Sequence, residues 1–496
     1  MEYQSTRNKA VRVSAAGAIA RGISAEGGLF VPATLPQLTH ERLEKLAGMT
    51  YADRAADILG DFLTDFAKEE IRECVTAAYG ANFAHDKVAP VVKLGKSARM
   101  LELWHGPTCA FKDMALQLLP HLLTRSMSKT AGGKEAAILV ATSGDTGKAA
   151  LDGFADVPGT QILVFYPHGG VSDVQYLQMA TQKGANVGVC AVRGNFDDTQ
   201  TAVKQIFTDP EMSKLLAEKN LVFSSANSIN WGRLVPQIVY YISAYCDMLE
   251  SGDVKIGEKI NVCVPTGNFG NILAAYYAKR MGLPIEKLIC ASNINKVLAD
   301  FIETGVYDRR REFVLTSSPS MDILISSNLE RLLFALCDED DKLITELMTA
   351  LSSNGVYTIP KEMLEKLQAE FVGDFCDEDR TQSTIREVLE EHDYLCDTHT
   401  AVAVNVYKRY AERTGDTTKT VIASTANPYK FAKSILPALE DVAPETSEFD
   451  QLRRLCERTG MPIPPQILAL EQEKVRFEKV CERGEMPDFV RKALGV

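Results

Sequence analysis

From about residue 91 to 440, short apolar runs alternate with polar, glycine-bearing turns and helical stretches, and this alternation restricts the fold more than any other feature. Residues 136–141 form one such run. The turn Thr142-Ser143-Gly144-Asp145-Thr146-Gly147 follows it, and a helix begins near Lys148. Residues 161–166 and 187–192 repeat the pattern, and 221–223, 260–264, 288–292 and 420–426 resume it. Strand, turn, helix, strand predicts a mostly parallel α/β sheet, because parallel neighbours need a crossover between them. Ligands of such sheets sit beyond the carboxyl ends of the strands, so the turns after these runs are where chemistry is sought.

The flanks read differently. The first ninety-odd residues are mainly helical by pattern, with apolar spacing at Ala52, Ala55, Ile58, Leu59, Phe62 and Phe66. The turn Ala25-Glu26-Gly27-Gly28 enters a short strand at 29–32. Residues 442–496 return to charged, amphipathic helix broken by Pro462, Pro464 and Pro465. A chain of 496 residues holds about three domains or subdomains. The expected division is a mainly helical N-terminal domain (1–95), a catalytic α/β region in two subdomains (96–440) and a C-terminal helical appendage (441–496).

Charge narrows the partners. Lys and Arg number 54 against 66 Asp and Glu, a net charge of −12. No basic run interrupts that excess, so binding of nucleic acid or an anionic membrane surface is not expected. An anionic small molecule would need a few local cations. The longest apolar runs, such as 272–278, are far below the ~18 residues that span a bilayer. Eleven cysteines with no C-x-x-C pair fit free thiols in a reducing compartment, with cytosol the default. Cys396 and His399 form a lone C-x-x-H, too little for a zinc site, and no metal is implied.

Three turns carry chemistry. Gly267-Asn268-Phe269-Gly270-Asn271 lies between the run 260–264 and a helix from Ile272. Its glycines let amides converge on an anion at a positive helix end, a phosphate cradle. An ordinary strand-to-helix turn needs glycines too, so this turn alone decides nothing. It lacks G-x-G-x-x-G, and Gly144-Asp-Thr-Gly147-Lys148 is no P-loop: Thr142 replaces the first glycine and Ala149 the magnesium-binding hydroxyl.

The second turn is His105-Gly106-Pro107-Thr108-Cys109-Ala110-Phe111-Lys112-Asp113-Met114. Most lysines are solvated, but one in partly apolar surroundings has a depressed pKa and serves as a Schiff-base nucleophile. Pyridoxal phosphate requires one such lysine and one phosphate cradle, and the chain offers both. The third is Ser424-Thr425-Ala426-Asn427-Pro428, where the Thr425 hydroxyl is placed either to face a pyridine nitrogen or to cap a helix.

Taken together, Gly-Pro-Thr-x-Ala-Phe-Lys112-Asp-Met-Ala, Thr142-Ser-Gly-Asp-Thr-Gly147 and Gly267-Asn-Phe-Gly-Asn271 resemble the threonine synthase family. These are fold-type II pyridoxal-phosphate enzymes related to the tryptophan synthase β subunit. The likeness spans nearly the whole chain. Tyr3-x-Ser5-Thr6-Arg7 and Gly22-Ile-Ser-x-Glu-Gly-Gly-Leu-Phe-Val-Pro32 match the opening of the longer branch found in fungi and many bacteria. Ser318-Pro-Ser-Met-Asp322, Ser327-Asn-Leu-Glu-Arg331 and Asp397-x-His399-Thr-Ala401 match farther on. One departure is Asn427, where the family often has His.

The resemblance implies that Lys112 carries the cofactor and that Gly267, Asn268, Phe269, Gly270 and Asn271 bind its phosphate. Asp145 would lie beside the 3′-oxygen and Thr425 by the pyridine nitrogen. The implied substrate is O-phospho-L-homoserine, with its phosphate held by Ser228, Asn230 and Arg233 and its carboxylate by Thr142, Ser143 and Thr146. The implied reaction eliminates phosphate from the γ carbon and adds water at the β carbon, giving L-threonine. A phospholyase that forms a keto acid from the same or a related hydroxyamino-acid phosphate shares every step before water addition. The expected partners are this small molecule and at most a second copy of the chain (monomer or homodimer).

Overall fold

Two parallel-rich sheets carry the turns singled out above. The computed structural model describes residues 1–496, with side chains for all but residues 196 and 197. The larger sheet orders its strands Phe371–Phe375, Ile285–Ser292, Ile260–Pro265, Thr420–Ser424, Ala98–Glu102, Val91–Leu94. All neighbours are parallel except the last pair, which is antiparallel. The second sheet runs Val480–Cys481, Val187–Val192, Thr160–Pro167, Glu135–Ala141, Leu221–Ser224, parallel throughout.

The central strands are apolar runs because helices cover them. Val297–Thr304 and Thr398–Thr414 pack on the larger sheet; Asp145–Phe154, Phe196–Phe207 and Met486–Leu494 pack on the smaller. Ile260–Pro265 is buried at every position. The expected strands are therefore present, shifted by at most a few residues. The run 420–426 stops early, at Ser424, and Thr425 leaves the sheet. The Thr425 carbonyl then accepts from the Phe111 amide at 2.8 Å, and the Asn427 amide donates to Cys109 at 3.0 Å. These bonds clamp the third turn to the lysine loop.

The N-terminal region is less helical than its pattern suggests. Tyr3–Ser5, Asn8–Val13 and Phe30–Pro32 form an antiparallel sheet. The stretch 51–79 is two helices, Tyr51–Phe62 and Lys68–Ala78, and the second starts where the Glu70 carboxylate accepts from the Ala67 amide at 2.7 Å. The C-terminal appendage likewise supplies an edge strand, Val480–Cys481, and Phe489 packs on Phe165 with ring centres 5.5 Å apart. This strand and Val91–Leu94 pair across the division expected at 440/441 and 95/96.

A 20-residue helix, Trp231–Glu250, is buried over nearly its whole length. It packs on Gly270–Met281 and on the N-terminal helices, so the helix that carries Arg233 is fixed to the helix that follows the phosphate cradle.

Candidate active site

Lys112 opens the short helix Asp113–Leu116, and its side chain is almost fully buried. Its Nζ donates to Ser320 Oγ at 3.0 Å, stands 3.8 Å from Asp145 Oδ2 and lies 5.2 Å from the Phe111 ring centre. Burial pushes the amine down to about 8; Asp145 opposes the shift, while Lys430 and Arg233 add repulsion. A lysine tuned this way offers a free base near neutral pH.

The loop before Lys112 is pinned by Asp113, whose carboxylate accepts from the Thr108 amide at 2.9 Å and hydroxyl at 2.6 Å. Burial raises the Asp113 carboxyl to about 7, and the Thr108 bonds only partly offset it. Its stabilising contribution is full below the unfolded pKa near 4 and is lost as pH rises through about 7. Asp113→Asn is expected to flatten this decline, measured as native-minus-variant melting temperature across that range. An unchanged difference would contradict the assignment.

Asp145, the first residue of helix Asp145–Phe154, binds a second buried lysine. Lys430 Nζ donates to Asp145 Oδ1 at 2.9 Å and to the Thr108 carbonyl at 2.8 Å, and its side chain is 0% exposed. Gln175 Nε2 donates to the same carboxylate at 3.0 Å. Burial raises the Asp145 carboxyl, but the Lys430 and Lys112 charges and these bonds outweigh it and hold the group well below the usual carboxylate range.

The turn 142–147 divides between structure and site. The Thr142 hydroxyl accepts from the amides of Gly144 (3.0 Å) and Gly147 (2.9 Å), and the Thr142 amide donates to Phe165. Thr142 is thus spent on shaping the turn, contrary to a role as a carboxylate ligand. Gly144 has φ +137°, and a Cβ there would strike Gln175, so the turn requires glycine. The amides of Ser143, Asp145 and Thr146 bind no acceptor among the described residues. Ser143 is exposed and Thr146 half-buried, so both stay available to a ligand.

At 267–271 the cradle takes shape. None of the five amides donates to an acceptor among the described residues. Phe269 is left-handed at φ +65° and precedes the helix Gly270–Met281, turning the chain so that successive amides converge. A Cβ on Gly267 would press into the Ser320 carbonyl, so the cradle and the partner of Lys112 are in contact. The Asn271 side chain is tied at Oδ1, which accepts from the Tyr240 and Tyr241 hydroxyls, while its Nδ2 has no partner among the described residues and stays available to an anion beside the backbone amide.

The loop after Leu221–Ser224 separates its three candidates. Asn230 is a cap: Oδ1 accepts from the Gly232 amide at 2.9 Å, and Nδ2 donates to the carbonyls of Ile19 (3.0 Å) and Ser225 (3.1 Å). This side chain has no group left for a phosphate. Asn230→Ala should cost about 1–2 kcal/mol of stability, as a lost N-cap does, with a far smaller loss of kcat/KM than substitution of Arg233. Thermal melting and steady-state kinetics on both variants check this. The Ser228 carbonyl accepts from Asn328 Nδ2 at 3.1 Å, and the residue is half-buried.

Arg233 is different. It is buried, it forms no ion pair with a carboxylate among the described residues, and its Nε has no partner there. Among the described residues its guanidinium makes one bond, from Nη1 to the Ala226 carbonyl at 2.8 Å. Burial pushes the guanidinium down to about 10. An unpaired buried cation is costly, and this one is placed to receive an anion.

Three residues of the site were given no role from the sequence. Lys430 lies in a short turn, Pro428–Phe431, capped by Asn427 Oδ1, which accepts from the Tyr429 amide at 3.1 Å. Ser320 accepts from Lys112 and, through its amide, donates to His399 Nε2 at 3.1 Å. His399 therefore carries its proton on Nδ1 and donates to Asp397 at 2.8 Å. The Pro-Ser-Met string at 319–321 and the Asp-x-His string at 397–399 pointed to these last two without giving them a partner.

These features fit pyridoxal phosphate: a buried amine of lowered pKa, a loop of five free amides and the Thr425 side chain on the clamped turn. The chain matches three protein-family models: "Threonine synthase N terminus" at residues 2–79, "Pyridoxal-phosphate dependent enzyme" at 92–426 and "Threonine synthase, C-terminal" at 400–490. It is 43% identical over 477 residues to threonine synthase-like 1 of Homo sapiens, covering 94% of this chain but 63% of that protein's length. It is 35% identical over 501 residues to threonine synthase of Schizosaccharomyces pombe, covering 93% of this chain and 96% of the relative. Among solved structures, pyridoxal-phosphate-bound threonine synthase from Brucella melitensis matches with a TM-score of 0.88 at 37% identity, covering both chains fully.

Proposed function

The chain belongs to the threonine synthase family of fold-type II pyridoxal-phosphate enzymes, and we propose that it converts O-phospho-L-homoserine and water to L-threonine and phosphate. The observation that carries the substrate is Arg233, a buried guanidinium with an unmatched Nε whose charge reaches Lys112. A substrate phosphate supplies the missing anion.

Bound pyridoxal phosphate supplies an electron sink that acidifies the substrate's α and β carbons. The amides of Gly267, Asn268, Phe269, Gly270 and Asn271 hold its phosphate, and Asp145 and Thr425 orient its ring. Lys112 would anchor it, and Nζ would move the protons at the substrate's α and β carbons. Ser320 Oγ keeps that amine aimed. Arg233, with Ser228, stabilises the charge that develops as phosphate leaves the γ carbon. Ser143 and Thr146 hold the substrate carboxylate through amides and hydroxyls.

A second reading is favoured by one finding: relatives at 43% identity are named threonine synthase-like 1. In that reading the same site converts O-phosphohomoserine and water to a keto acid, ammonia and phosphate. We place the enzyme in the cytosol, a reading supported by its free cysteines, and propose a monomer or homodimer. No helix among the described residues is long and apolar enough to cross a membrane.

Expression in a bacterial strain lacking its own threonine synthase tests the proposal. Growth without added threonine is expected; failure to grow despite soluble, cofactor-loaded protein overturns it.

A further inference from the structure

We propose that Lys430 is a positioning residue for the cofactor lysine: it neutralises and fixes Asp145, the carboxylate that faces Lys112 Nζ. A lysine whose side chain is 0% exposed must have its charge answered, and this one makes two bonds, to Asp145 Oδ1 (2.9 Å) and the Thr108 carbonyl (2.8 Å). The other Asp145 oxygen points at Lys112, 3.8 Å away. The carboxylate is thus shared between two lysines, with Gln175 holding its orientation from the neighbouring helix Asp173–Ala180. The Thr108 bond ties the same ammonium to the loop that ends in Lys112.

The charged groups that face Lys112 are Asp145, Lys430, Arg233 and Asp113. Asp145 alone would favour the ammonium form of Lys112 and hold the amine in an ion pair. With Lys430 present the pair is close to neutral, and burial is left to keep Lys112 a base. A purely structural role, tethering the Thr108 loop, would lower stability without a signed effect on the Lys112 amine. The two roles are therefore separable.

The test is the pH dependence of acetylation of Lys112 by acetic anhydride, read by mass spectrometry on the full chain stripped of cofactor. The native midpoint is expected near 8. Removing an anion or a cation at this range moves such a midpoint by about one pH unit or more. Asp145→Asn should lower it, Lys430→Met should raise it, and the double variant should return close to native. Melting temperature gives a second readout: the double variant should be more stable than Lys430→Met, because that single change leaves a buried carboxylate without its nearer cation.

A Lys430→Met midpoint equal to or below native overturns the proposal, as does a double variant that stays with Lys430→Met. If Lys430→Met does not fold, the double variant against Asp145→Asn decides: a higher midpoint in the double supports the proposal, and an equal or lower one overturns it. No substrate enters the measurement. A wrong substrate assignment leaves its result standing.

Discussion

Lys112→Ala, refolded or purified with excess pyridoxal phosphate, is expected to lose turnover of O-phosphohomoserine by on the order of 10⁴-fold or more. The size follows from two tasks resting on one atom. In the proposed function Nζ both anchors the cofactor and moves the substrate protons, so its loss would remove both. No substitute is at hand: Lys430, the other buried amine, is committed to Asp145 and Thr108. The visible band of the lysine-linked cofactor should be lost with the activity and replaced by that of the unlinked aldehyde, while the melting temperature changes little, since among the described residues the Lys112 side chain makes one hydrogen bond, to Ser320. A variant that keeps more than about one hundredth of native kcat would place the base elsewhere.

Arg233→Ala is expected to reduce kcat/KM for O-phosphohomoserine by roughly 10²–10³-fold, about 3–4 kcal/mol, which lies within the range for deleting one partner of a buried charge pair. In the free protein the guanidinium has no anion among the described residues, so its removal should cost little stability. The cofactor's visible spectrum should survive, because the phosphate cradle lies on a different turn. Homoserine, which lacks the phosphate, should bind native and variant alike. Equal losses for both compounds would mean that Arg233 supports the fold of the loop through Ala226 and not the substrate's phosphate.

Most of the sheet was legible because helices cover both faces of its central strands, leaving runs such as 260–264 uninterrupted. Ala98–Glu102 escaped because two of its positions carry charge: Arg99 pairs with Asp253 and Glu102 accepts from the Tyr394 hydroxyl. Phe371–Phe375, an edge strand containing Gly373 and Asp374, gave no apolar run either. The N-terminal strand Asn8–Val13 alternates exposed and half-buried residues, a pattern easily read as loop.

The site was legible where backbone does the work, as at Gly144, Gly267 and Gly270, since a glycine in a turn is visible in one dimension. Side-chain direction was not. Asn230 and Thr142 stand in the right turns but face inward, each satisfying amides that would otherwise be orphaned. Lys430 was invisible for the converse reason. It lies 285 residues from its partner Asp145 (430 − 145), and only the packing of the Pro428–Phe431 turn on the Lys112 loop brings the two charges together.

The most direct test of the whole account is a product balance: purified holoenzyme incubated with O-phosphohomoserine, with phosphate, threonine, keto acid and ammonia measured on the same sample. Phosphate and threonine in equal amounts are predicted. Phosphate matched instead by keto acid and ammonia would contradict it and assign the site to a phospholyase.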